Sequence, residues 1–507
     1  MHCPKCGIEN PDDAQICESC SYALASPDIE QPKTKAKINV MAICYSLLAG
    51  LAGALTFLVK PTLAFLIALL GFCSAITAIV EILRNKKKMK WKKIAIIGII
   101  FGSTQILILS YWRIDASPIP NDYTMNDIRS ASSEHNQTYE LLEALADNDD
   151  YLMDAPAIGL SAEDVNSLKE LSDMFKEDDL KAVSERLQAN TDKILSIWQS
   201  AEKGRGVFDK LDTFPEIADL TEPYLASIPL WLKNFKRMTL LHRIYICLQS
   251  CQGNHKVAIE ELIRLNSIIK KINLNARSLI TKLVCIACFK GNIEVTNFII
   301  SNPNTPHEIL MLIKENMVPL SDEHTSLRNS IIFEYFIWGN ELEKMSRESR
   351  LKYSSFSPLK LNSTLRLARN FFDGWIVITE DRMPVEEFKV WPNVYPNMTV
   401  QLDSECKLPW YYMAYNPIGS LTAGILTPAI ERIFEQRTKL QVRSELLQIV
   451  LKKRLGKEVS LKARAYGDEY IVDLENKKIF SPGPDGEADT KDDIMLRINP
   501  EVLDWQS

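Results

Sequence analysis

Between Val40 and Trp112 the chain contains three long stretches without a charged residue: Val40–Val59, Thr62–Val80 and Ile94–Trp112, of 20, 19 and 19 residues. A helix rises about 1.5 Å per residue, so each stretch matches the roughly 30 Å hydrocarbon layer of a bilayer. A water-soluble core seldom needs three such runs in succession, so the sequence predicts three transmembrane helices over residues 39–112, with the lipid bilayer as partner. No Asp, Glu or His lies inside the runs, which argues against an ion pathway within the membrane.

The connector Arg84–Lys93 sets the orientation. It holds Arg84, Lys86, Lys87, Lys88, Lys90, Lys92 and Lys93, and clustered cations of this kind stay in the cytoplasm. Counting crossings from it puts the N-terminus in the cytoplasm as well, where Lys33, Lys35 and Lys37 agree. The Lys60-Pro61 turn then faces outward. Residues 113–507 are expected outside, in the periplasm of a bacterium, making this a multi-pass protein of the inner membrane. Trp91, Tyr111 and Trp112 fall at the expected interfaces.

Four of the eleven cysteines stand in the first twenty residues: Cys3 and Cys6, then Cys17 and Cys20. Each Cys-x-x-Cys puts two thiolates on one tight turn, and two such turns supply the four soft ligands of a tetrahedral zinc ion. Residues 1–24 are too few to bury a core, so the metal would supply the folding energy. Four thiolates close the shell, which makes the site structural. Two reactive dithiols or a disulfide pair are the weaker alternative. The pattern M-x-C-P-x-C-G…C-x-x-C resembles the short zinc ribbon at the N-termini of many bacterial membrane proteins. It departs from that family at Ser21, where a second glycine is usual.

Residues 25–38 read as a polar linker and 113–125 as another. From 126 to 345 the apolar spacing is helical, so the fold class is mainly α. Ser161 is an expected N-cap with Asp164 three residues on, ahead of Leu168, Leu171, Met174 and Phe175. Leu180, Val183, Leu187, Ile194 and Trp198 are expected to share one further helix. Gly253-Asn254 and Gly291-Asn292 lie 38 residues apart in similar surroundings, which suggests either a helix-turn-helix repeat or two ordinary helical hairpins. Cys247, Cys251, Cys285 and Cys288 are read as buried thiols, with a disulfide as the alternative. Residues 346–455 read as mixed but mainly helical. In them Leu408–Ile430 lacks charge but holds Pro409, Pro417 and Pro428, so a buried loop leading into a helix from about Thr427 to Leu455 is expected. The segments Ser278–Gly291 and Leu408–Glu431 resemble a helical region in uncharacterised secreted or membrane proteins of planctomycete and lentisphaera-type bacteria. That resemblance implies an envelope setting and no activity.

Residues 456–507 form a small β-rich tail, with strands expected at Val459–Arg464, Glu469–Asp473 and Lys477–Phe480. An acidic loop follows, in which Asp485, Glu487, Asp489, Asp492 and Asp493 offer hard oxygen donors suited to calcium, though a solvated acidic turn explains them equally well. The run Phe480, Ser481, Gly483, Asp485, Gly486, Asp492, Asp493, Ile494 is similar to the C-terminal calcium loop of type II secretion pseudopilins. The resemblance implies that Asp485, Asp492 and Asp493 are ligands.

The chain has a net charge of −6, spread unevenly. Residues 1–112 hold 12 Lys and Arg against 7 Asp and Glu, and the rest hold 47 against 58. An acidic body repels phosphate, so no nucleic-acid partner is expected. No H-E-x-x-H, G-x-S-x-G, Walker or G-x-G-x-x-G pattern occurs. The leading expectation is therefore a membrane-anchored envelope protein without catalytic residues, with protein partners on both sides of the bilayer. The alternatives are a metal-assisted envelope hydrolase and an accessory component of a secretion or transport assembly.

Overall fold

The computed structural model describes residues 1–24 apart from 12, 13 and 23, and most of 117–503. Within the latter it omits 119–122, 147–157, 178, 225–228, 318–319, 354–359, 382–416, 464 and 467–468. Between 25 and 116 only Ile76, Val80, Ile100 and Thr104 are described, so apart from these four positions the three expected membrane helices lie outside the described residues. The chain divides into two compact units, Met1–Ile114 with Arg350–Ser357, and Asp115–Ser349 with Pro358–Ser507.

The second unit begins with short helices: α1 Gln137–Glu143, α2 Ala162–Glu177, α3 Leu180–Ala189, α4 Thr191–Ser200 and α5 Glu202–Thr213. The cap expected for α2 is present as a capping box. Ser161 Oγ accepts from Asp164 N (3.1 Å), and Asp164 Oδ2 accepts from Ser161 N (2.9 Å). The single helix expected from Leu180 to Trp198 is two. Asn190 leaves helical geometry at φ −106°, ψ 18°, and its Nδ2 donates to Arg186 O at 2.8 Å, closing α3. Val183, Leu187, Ile194 and Ile197 remain buried on either side of the break.

Three long helices form the centre: α6 Trp231–Cys251, α7 His255–Asn275 and α8 Leu279–Ser301. The α6–α7 turn uses Gly253 at φ +81°, a region that favours glycine. The expected second turn at Gly291-Asn292 is absent, because α8 runs straight through it. A Cβ at Gly291 would meet the Arg243 guanidinium, the end of a long side chain that lies against the helix at that point and would have to move aside. Arg243 Nε donates to Asn292 Oδ1 at 3.3 Å, and Asn292 Nδ2 donates to Asn266 Oδ1 at 3.3 Å. These bonds satisfy a fully buried asparagine inside the helix, where the sequence suggested a helix end.

Helix α8 is apolar on most of its circumference and is surrounded by neighbours. It packs on α6, α7, the long helix α13 Pro417–Arg454 and strand β3 Ile494–Arg497. Among the described residues it is the one helix long and apolar enough to cross a membrane. With 72% of its most apolar window buried, it is a core helix. Its N-cap is Ser278, whose hydroxyl accepts from Thr281 N at 3.0 Å. Helix α13 starts at Pro417, ten residues before the expected Thr427. Proline is favoured at the first helical position, where no N–H is required. From Ile433 onward α13 buries Phe434, Leu440, Leu446 and Val450. It ends at Lys452, Lys453 and Arg454, followed by Gly456 at φ +70°.

The remaining helices are α9 His307–Asn316, α10 Asp322–Thr325, α11 Arg328–Tyr353, α12 Leu361–Asp381 and, at the end, α14 Pro500–Leu503. The tail is a three-stranded antiparallel sheet in the order β1 Ile471–Asp473, β2 Lys478–Ser481, β3. Two of the expected strands are found within two residues. The expected strand Val459–Arg464 is reduced to one bridge, Lys462 to Glu469. The third strand is β3, after the acidic loop, where only Ile494 and Leu496 alternate inward. Buried carboxamides pin neighbouring backbone to the long helices: Asn234 Nδ2 to Leu145 O in a turn (2.7 Å), Asn273 Nδ2 to His324 O in α10 (2.7 Å) and Asn297 Nδ2 to Arg497 O in β3 (2.6 Å).

Candidate metal centre

The first knuckle is a tight turn. Gly7 N donates to Cys3 O (2.8 Å) and Cys3 N to Ile8 O (2.9 Å). The second repeats it: Ser21 N donates to Cys17 O (2.8 Å) and Cys17 N to Tyr22 O (2.7 Å). Gly7 and Ser21 occupy equivalent places and both have positive φ, +74° and +54°. The family's usual glycine at the second place thus has a geometric cause, and Ser21 adopts the same left-handed conformation with a Cβ.

The two turns bring all four sulfurs together, with every ligand atom within 4.8 Å of the others. Cys3 Sγ lies 3.6 Å from Cys20 Sγ, and Cys6 Sγ lies 3.5 Å from Cys17 Sγ. Four sulfurs about 2.3 Å from one zinc ion in a tetrahedron stand roughly 3.8 Å apart, so the set fits the ion. Burial pushes the Cys17 thiol up, but the amides of Cys20 and Ser19 and the side chains of Cys6 and Asn10 outweigh it, bringing the thiol to about 6. Cys3 is lowered in the same way, with burial opposed by the amides of Lys5 and Cys6. Cys6 moves the other way: the Ile8 amide favours its thiolate, but the Cys20, Cys17 and Cys3 sulfurs and burial outweigh it and push the thiol up to about 12, so the four thiols share charge unevenly and a soft cation would relieve the crowding. With four protein ligands and no open position, bound zinc would stabilise the fold and leave no place for substrate.

Sequence reasoning missed Asn10. It is 5% exposed, and it donates through Nδ2 to Ile8 O (2.9 Å) and to Cys17 Sγ (3.5 Å). Its Oδ1 accepts from Glu18 N at 3.1 Å. No motif marks it, because two of its partners lie in the other knuckle.

The acidic loop is arranged differently. Asp485 Oδ1 accepts from Glu487 N (2.9 Å), Asp493 Oδ2 from Asp489 N (3.0 Å), and Asp492 from Thr490 Oγ1 (2.6 Å) and Asp485 N (3.2 Å). Lys478 Nζ reaches Asp489 at 2.7 Å and Asp473 at 3.8 Å. Among the described residues, only the four cysteines form a converging group of three or more ligand atoms of the metal-binding types.

Cys247, Cys251, Cys285 and Cys288 are free thiols; all but Cys251 are buried. Cys251 Sγ lies 3.2 Å from Ser184 Oγ, and Cys288 Sγ lies 3.5 Å from Thr239 Oγ1. A cavity of about 620 Å³ is lined by Gln137, Glu140, Leu141, Asp209, Lys210, Thr213 and Phe214. Asp209 on its wall pairs with Arg264, which in turn binds Glu261 (2.6 Å), and Glu261 binds His242 (2.5 Å). Burial raises the Glu334 carboxyl, which takes the Leu279 N–H (3.1 Å) at the start of α8.

No curated protein and no solved structure matches the chain. The family model of the zinc-ribbon domain matches residues 2–24, the segment that carries the four converging cysteines. Residues 2–24 are a zinc-ribbon domain, a zinc-binding module at the head of a mainly helical chain.

Proposed function

We propose that this chain is a membrane-anchored envelope protein. Its zinc ribbon faces the cytoplasm, three helices within residues 39–112 cross the inner membrane, and residues 113–507 form a periplasmic scaffold for protein partners. The observation that carries this is the charge pattern: three uncharged runs of 19 or 20 residues around a connector with seven Lys and Arg. A reducing cytoplasm suits four zinc thiolates.

The scaffold role rests on how the described charged groups of the helical unit are used. Glu334 caps α8, and Asp209, Arg264, Glu261 and His242 tie α5, α6 and α7 together. A hydrolase would instead place two free carboxyls on a cleft, and an accessory of a secretion assembly would co-purify with it from detergent. The topology is tested with a membrane-impermeant thiol reagent on intact cells. In single-cysteine variants, Lys256→Cys, at a side chain 82% exposed, should label, and Lys90→Cys should label only after lysis. Labelling of Lys90→Cys from outside would overturn the reading.

Calcium at the acidic loop is a second part of the proposal. It is favoured by Gly483 and Gly486 at positive φ and by the approach of Asp485 to Asp492 across their turn. Calcium should raise the melting temperature of the full chain, and no shift would remove the ion from the reading.

A further inference from the structure

Two short turns, Cys3–Ile8 and Cys17–Tyr22, have few contacts of their own, so something must fix one against the other while thiolate charge accumulates between them. We propose that Asn10 is the positioning residue of the zinc centre: its buried carboxamide locks the two knuckles together and hydrogen-bonds the Cys17 sulfur, and so governs how tightly the metal is held. This rests on the zinc reading of Cys3, Cys6, Cys17 and Cys20.

The carboxamide touches both halves. Ile8 belongs to the first knuckle, and Cys17 and Glu18 belong to the second. Each polar direction of the side chain is matched: two N–H groups face a carbonyl and a sulfur, and the oxygen faces an N–H. A flipped amide would set N–H against N–H at Glu18, so the partners fix its orientation. The backbone of Asn10 is held too, by N–H donation to Met1 O at 2.8 Å. A hydrogen bond to a thiolate ligand draws off part of its charge and orients its lone pairs, and partners of this kind tune metal affinity. Aspartate has the same shape and keeps the acceptor for Glu18 N, but it has no N–H and would place a carboxylate beside the sulfur.

The test uses the full chain, with zinc affinity from chelator competition and the sulfur-to-metal absorption band of the cobalt-loaded protein. Melting of the helical unit serves as the folding control. Asn10→Ala should weaken zinc roughly 10- to 100-fold and shift the cobalt band. Asn10→Asp should weaken it at least as much. Wild-type affinity in either variant, or weakened affinity with an unmoved band, would overturn the assignment. If the unaltered chain takes up no zinc, the zinc reading itself fails.

Discussion

The zinc ribbon and the helical unit are stabilised by different physics. Among its described residues the ribbon buries only Cys3, Cys17 and Asn10. Ile8, Ile16 and Tyr22 are left 48, 58 and 43% exposed, so apolar burial cannot hold it. The helical unit buries whole faces. Trp231, Phe235 and Phe208 pack ring on ring, with Phe235 centroids 5.7 and 5.5 Å from the other two, and Trp375 stacks on Phe434 at 4.6 Å. One region depends on a single multivalent ion, the other on many weak contacts. They should therefore fail under different insults.

The largest expected effect is metal removal. A strong chelator should abolish the ribbon's structure, since structural zinc contributes about 10–16 kcal/mol of apparent binding energy in such modules. The melting of the helical unit should not change. A joint loss of both would break the comparison. The converse is Phe235→Ala, at a fully buried ring, which should cost about 3–5 kcal/mol in the helical unit and leave zinc affinity as it was.

A smaller effect separates burial of charge from burial of apolar surface. Lys282 is 3% exposed on α8, and burial, with Arg437 and Arg129 nearby, brings its amine down from 10.5 to about 8. The unfolded chain keeps that proton up to 10.5 and the folded chain releases it near 8, so stability should rise with pH across that window. Lys282→Met should raise the melting temperature at neutral pH and flatten the rise. The amine's bond to Asn273 O at 2.9 Å is the opposing loss. Smallest is Ser21→Gly. Relieving a left-handed serine should stabilise the loaded ribbon by about 1 kcal/mol, read as slower zinc release.

What was legible in the sequence follows the range of the forces involved. The cysteine spacing could be read because ligand geometry is local, and so could the Ser161–Asp164 cap. Gly291 misled because it sits inside α8 against Arg243 of another helix, and nothing nearby in sequence says so. Asn190 was missed because its carboxamide ends a helix without disturbing the apolar spacing on either side. Strand β3 was hidden because four residues with two inward positions carry little periodicity. Asn10 was passed over for the same reason as Gly291: its meaning lies in the knuckle eight residues away.

The wrapping of α8 also has a consequence in time. Its partners α13 and β3 come late in the chain, and the bond from Asn297 to Arg497 O spans 200 residues. At a ribosomal pace of about 5–20 residues per second, that interval lasts roughly 10–40 s. For that long a helix greasy enough to pass for a membrane span stands without its final cover. A stop codon before β3 should therefore leave α8 without the strand that Asn297 holds, and the product is expected to aggregate more readily than the full chain.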